Sequence, residues 1–172
     1  GSDAVIKDLK IRGLSVTGYN YVGGLVGRNN GKISNLDYQA TVTLSDYINY
    51  VGGVVGYDGG GTFEDIQADI TINQSDHGSG TDRVGGIVGA LNGNIVNSSA
   101  QGKINLSKSR VGGLVGGLDG TIRNSNSSVN VYGNSEVGGL VGRNDYGTIR
   151  TSYSTGNISG DEEVGGLVGL NG

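Results

Sequence analysis

The sequence predicts an all-β fold, a parallel β-solenoid (β-helix) of about six coils with roughly 27 residues per coil. Three observations point to it. The string V-G-G-[LVI]-V-G begins six times, at Val22, Val51, Val84, Val111, Val137 and Val164. An apolar landmark follows each of the first five at nearly fixed phase and opens a run in which inward and outward residue types alternate. Glycine supplies 36 of 172 residues, and at about 1 kcal/mol each against Ala in a helix interior that content leaves little room for helix. One unit cannot bury its apolar face alone, whereas stacked copies join each strand to its counterpart one coil away.

Along the chain the landmarks are Ile6, in a degenerate first unit expected to form only a partial coil, then Ile33, Phe63, Ile95, Ile122 and Ile149. Residues three, five, seven and nine after each are expected to face inward: Leu36, Tyr38, Ala40 and Val42 in one unit, Ile66, Ala68, Ile70 and Ile72 in the next, and Ile104, Val129, Val131 and Ile158 further on. Period two marks a strand with one buried face. The residues between them, such as Thr43, Lys103, Asn105 and Asn130, suit an exposed face. Glycines at fixed phase in the repeated string fit either a positive-φ corner or a thin, closely packed sheet. Asn30-Gly31, Asn92-Gly93 and Asp119-Gly120, just before the landmark, read as tight turns. Two residues past the landmark stand Asp8, Asn35, Asp65, Asn97, Asn124 and Thr151, expected to stack at one corner as a structural ladder. Beside them Ser98, Ser125 and Ser152 take inward places held earlier by Leu36 and Ile66, and buried hydroxyls need partners.

Candidate binding residues lie where the coils differ. The residue before each V-G-G is Tyr21, Tyr50, Arg83, Arg110, Glu136 and Glu163. In register these form one solvated outward column, with a cation–π contact between Tyr50 and Arg83 and an ion pair between Arg110 and Glu136. Tyrosine crowds the first third of the chain, at Tyr19, Tyr21, Tyr38, Tyr47, Tyr50 and Tyr57. The longest insertion between coils, Asn73 to Asp82, holds the single histidine, His77. Tyr19, Tyr21, Tyr47 and Tyr50, with Asp76, His77 and Asp82, are expected to project from one side as an aromatic and acidic patch, because Tyr anchors interfaces.

Composition excludes several chemistries. With no cysteine there is no disulfide framework, thiolate nucleophile or Cys-based zinc site. One histidine excludes H-E-x-x-H and every other His-pair motif, so no catalytic residue, cofactor or metal is predicted. A net charge of −4 with scattered basic residues does not suit nucleic acid. The apolar runs are far shorter than the ~20 residues that cross a bilayer as helix. Gly1-Ser2 reads as a tag scar and residues 3–172 as a single domain cut from a longer protein.

The six strings, each with its Gly-Leu-x-Gly core as at Gly24-Leu25-Val26-Gly27 and Gly166-Leu167-Val168-Gly169, resemble the GLUG motif over nearly the whole chain; Val54 and Ile87 replace the Leu. GLUG repeats occur in large bacterial surface proteins, including adhesins and the non-catalytic regions of zinc metallopeptidases that cleave immunoglobulin A1. The resemblance implies an extracellular, cell-surface module without an active site of its own. It would be an adhesive or stalk element meeting a host or matrix protein or glycan, or alternatively a domain that positions substrate for a surface protease.

Overall fold

The computed structural model describes residues 3–44, 49–74 and 82–172. Among them there is no helix, and every strand pairing is parallel. Three sheets run along the solenoid axis. The long sheet carries the alternating segments, opening with the 13- and 14-residue strands Val5–Gly18, Lys32–Leu44 and Thr62–Gln74. The repeated six-residue string does not form one strand. It bends in its middle and contributes to two sheets: Val22–Gly23 and its counterparts build the second, Val26–Asn29 and its counterparts the third. The expected column is complete, with Val22, Val51, Val84, Val111, Val137 and Val164 paired successively in register.

The alternating residues face as their period requires. Val42, Ile72 and Ile104 are fully buried and Val131 nearly so, in successive register, while Lys103, Asn105 and Asn130 are exposed. The degenerate first unit, which has no repeated string before it, supplies one full-length strand of the long sheet. Val5–Gly18 pairs with Lys32–Leu44 from end to end, and a single bulge between Ile11 and Leu14 absorbs an extra residue. Gly13 takes φ +68° there, a conformation a side chain would oppose.

The repeated glycines exist for close approach, because none of them has positive φ. A Cβ on Gly85 would lie 2.7 Å from the Leu114 carbonyl oxygen and 2.8 Å from the Gly116 nitrogen, both one coil away. A Cβ on Gly56 would lie 2.5 Å from the Tyr21 carbonyl carbon and 2.7 Å from the Val22 nitrogen, where the second and third sheets meet. Backbone therefore packs on backbone, and the solenoid is thin on that side.

Asp8, Asn35, Asp65, Asn97, Asn124 and Thr151 all adopt left-handed backbone, with φ between 48° and 57°. Asn and Asp tolerate that region better than other non-glycine residues, which is why they recur at this corner. Their side chains also link coils: Asn35 Nδ2 donates to Asp8 Oδ1 (2.7 Å) and Asn124 Nδ2 to Asn97 Oδ1 (3.4 Å). The adjacent serines form a second ladder. The amides of Ile66, Ser98 and Ser125 donate to Ser98, Ser125 and Ser152 Oγ one coil on (3.1, 3.1 and 3.2 Å), and each of those hydroxyls donates to the carbonyl two residues before it. The hydroxyl thus takes the place of a backbone acceptor, and the long strand splits there, as at Asn94–Val96 and Ser99–Asn105.

Where the third sheet turns back to the long one, Asp58 is fully buried. It accepts from Asn29 Nδ2 (3.1 Å) and from the amides of Gly60, Gly61 and Gly93 (2.9–3.1 Å). Asp58→Ala strands these donors, so urea unfolding is expected to show a loss of roughly 3 kcal/mol. An unchanged midpoint would show that the turn does not depend on the carboxylate.

Candidate functional site

The second and third sheets meet along a ridge built from two columns of side chains. One is the residue before V-G-G, Tyr21, Tyr50, Arg83, Arg110, Glu136 and Glu163; Tyr50 pairs in register with Arg83. The other is the residue after the motif's last glycine: Arg28, Tyr57, Ala90, Gly117, Arg143 and Leu170, paired in register from coil to coil. Left-handed backbone at Tyr21, Arg110, Glu136 and Glu163 (φ 51–54°) marks the corner from which the first column rises. The columns interleave, so Tyr50, Arg83, Arg110 and Glu136 are half-buried where a solvated column was expected.

At the N-terminal end the ridge is aromatic. The Tyr21 and Tyr50 rings stack with centroids 5.1 Å apart and 13° between planes, and Tyr57 meets both edge-on, at 5.8 and 5.3 Å. These are favourable quadrupole geometries. Arg28 lies over Tyr21 (4.9 Å to the centroid) and Tyr57 (5.3 Å), and Arg83 over Tyr50 (5.4 Å). Arg83 Nη1 also donates to Tyr50 Oη (3.1 Å), and Asn92 Nδ2 to Tyr57 Oη (3.1 Å). The Arg83 stem crosses Gly117, where a Cβ would meet its Cδ at 2.5 Å. Small residues in the second column therefore make room for the long side chain of the first.

At the C-terminal end the ridge is ion-paired. Arg110 Nε lies 3.0 Å from Glu136 Oε2, Arg143 Nη1 lies 3.3 Å from Glu136 Oε1, and Arg143 Nε lies 2.6 Å from Asp145 Oδ1. These carboxylates hold the Arg143 guanidinium above its ordinary pKa, the hydrogen bond to Asp145 contributing most. Among the described residues no carboxylate lies within ion-pair distance of Arg28 or Arg83.

The expected site residues divide. Tyr21 and Tyr50 stand in the aromatic cluster, and Tyr19 is 66% exposed beside it in sequence. Tyr38, not one of them, faces inward as its place in the alternating series requires; it fills the core and its hydroxyl reaches toward Gly24. Burial pushes that phenol up to about 12. Tyr47, Asp76 and His77 lie outside the described residues. Asp82 does not belong to an exposed acidic patch, because it is 2% exposed and pairs with the equally buried Lys108 at 2.9 Å. Arg28 and Tyr57 were not legible as site residues, since the bend that brings the third sheet against the second separates them in sequence from the Tyr21 column.

Burial raises the Asp82 carboxyl above its ordinary 3.8, against the smaller pull of Lys108. Its folded value exceeds its unfolded one, so its stabilising contribution is full below the unfolded value and is lost as pH rises through the folded one. The melting temperature of Asp82→Asn relative to the parent is therefore expected to rise with pH from about 4 upward. A difference that stays flat across that range would contradict the assignment.

A rival concavity, a cleft of about 200 Å³ on the outer face of the long sheet, is lined by Arg12, Asp37, Gln39, Gln67, Asp69 and Gln101 among others. Its one cation is already paired: Arg12 Nη2 lies 2.5 Å from Asp37 Oδ2 and holds that carboxyl below its ordinary range, while Asp69 Oδ2 accepts from Gln39 Nε2 (3.4 Å). Among the described residues no three His, Cys, Asp or Glu side chains converge as a metal site.

No curated protein and no solved structure matches the chain. The GLUG motif family matches it three times, over residues 80–105, 108–132 and 133–159. Two of these segments, 108–132 and 133–159, each hold one complete turn of second, third and long sheet. The chain therefore carries a GLUG-repeat region, in which each repeat is one coil of a parallel β-solenoid.

Proposed function

We propose that the chain is a non-enzymatic adhesive or stalk module of a bacterial cell-surface protein, exposed to the extracellular medium and contacting a host or matrix ligand. The observation that carries this reading is the division of labour within the repeat. The valines and glycines of the repeated string hardly change from coil to coil, while the two ridge columns that flank it run from tyrosine and arginine to glutamate and leucine. A stiff frame with one variable ridge suits recognition, because pre-organised aromatic and guanidinium groups lose little freedom on binding. The buried carboxylates are committed elsewhere, Asp58 to backbone amides and Asp82 to Lys108.

Purified chain immobilised on beads is expected to capture host epithelial cells or matrix-coated particles saturably, and soluble chain to compete. Failure to retain either, or reproducible cleavage of immunoglobulin A1 by the chain alone, would contradict the reading. Retention of a surface protease's substrate without cleavage would instead favour a substrate-positioning role.

A further inference from the structure

Along the solenoid axis the aromatic end of the ridge reads guanidinium, aromatic, guanidinium. Arg28 belongs to the first coil, Tyr50 and Tyr57 to the second, and Arg83 to the third. The two cations stand on different columns, Arg28 at one end of the tyrosine cluster and Arg83 at the other. Both are held against rings, and among the described residues neither has a carboxylate partner, unlike Arg110 and Arg143 on the same ridge. A guanidinium seated on an aromatic face keeps N–H groups for a carboxylate or sulfate, and Arg83 commits only Nη1, to Tyr50 Oη. The chain as a whole carries −4, so a local cationic pair on it is not general attraction for polyanions.

We propose that Arg28, Tyr50, Tyr57 and Arg83 bind a linear acidic polysaccharide through its carboxylates or sulfates. Anionic groups of the polysaccharide meet Arg28 and Arg83, and the sugar between them covers the tyrosines. Between the cations the ridge offers three tyrosines, apolar rings with polar tips that suit the mixed C–H and hydroxyl faces of a sugar, which the side chains of polyglutamate do not supply. The inference deepens the adhesive reading and rests on it.

The test is binding of hyaluronan, chondroitin sulfate, uncharged dextran and polyglutamate to the immobilised chain at physiological salt. One or both acidic polysaccharides are expected to bind, the pattern separating carboxylate from sulfate as the recognised group, and dextran and polyglutamate are not. Arg28→Gln with Arg83→Gln should weaken binding at least tenfold with an unchanged melting temperature. The control Arg123→Gln with Arg150→Gln removes two exposed arginines stacked on the long sheet and should change it less than twofold. Equal loss in both double variants, or polyglutamate binding as tightly, would overturn the proposal. So would capture of host cells without binding of either acidic polysaccharide, which leaves the adhesive reading standing. Loss of cell capture as well would remove both.

Discussion

Ile104→Asp is expected to leave the chain without a cooperative unfolding transition. Ile104 is fully buried and lies in register between Ile72 and Val131, so a carboxylate there has apolar side chains on the coils either side. Burying an unpaired charge costs several kcal/mol, a large share of the 5–15 kcal/mol that holds a typical domain together. Thr43→Asp, one strand position along on the outward side, should melt within a few degrees of the parent. Equal melting curves for Ile104→Asp and the parent would mean the two faces are assigned the wrong way round.

The second large effect separates two glycines that the sequence cannot tell apart. Gly86 and Gly166 hold the same place in the repeated string. A Cβ on Gly86 would collide with the Gly113 carbonyl and press on Ala100 Cβ at 3.3 Å, whereas nothing lies within 4 Å of one on Gly166. Gly86→Val should therefore prevent folding, because the obstacle is backbone in a close-packed ladder. Gly166→Val should leave the melting temperature within a few degrees of the parent. If Gly86→Val folds with parental stability, the sheets are not as closely packed as described.

Much of this fold was legible because its signals repeat. The valine column follows from the spacing of six copies of one string, and the buried face of the long sheet from strict alternation such as Ile66, Ala68, Ile70 and Ile72. The Asn and Asp corner followed from residue types that accept left-handed backbone. What was not legible depended on one bend. V-G-G-L-V-G reads as a single short strand, yet it supplies two sheets, and only that division brings Arg28 and Tyr57 against Tyr21 and Tyr50. The available signal was the variability of the position after the last glycine, where Arg28, Tyr57, Ala90, Gly117, Arg143 and Leu170 follow one another. Asp82 misled for a different reason. An aspartate ending a polar insertion reads as exposed, and its partner Lys108 is 26 residues away on the next coil, so nothing local signals that the pair is buried.

The parallel in-register ladder is the claim on which the ridge, the corner and the core all depend, and one column spans it from end to end. Thr17, Thr43, Asn73, Asn105, Tyr132 and Ser159 are paired successively across the six coils. Thr17, Asn105, Tyr132 and Ser159 are exposed, and the chain has no cysteine of its own to interfere with labelling. Nitroxides attached in pairs at Thr17→Cys with Asn105→Cys, Tyr132→Cys or Ser159→Cys should report backbone separations near 14, 19 and 24 Å by pulsed dipolar spectroscopy, a rise of ~4.8 Å per coil. Separations that fail to increase in that order, above all a 17 to 159 pair closer than 17 to 105, would contradict the solenoid.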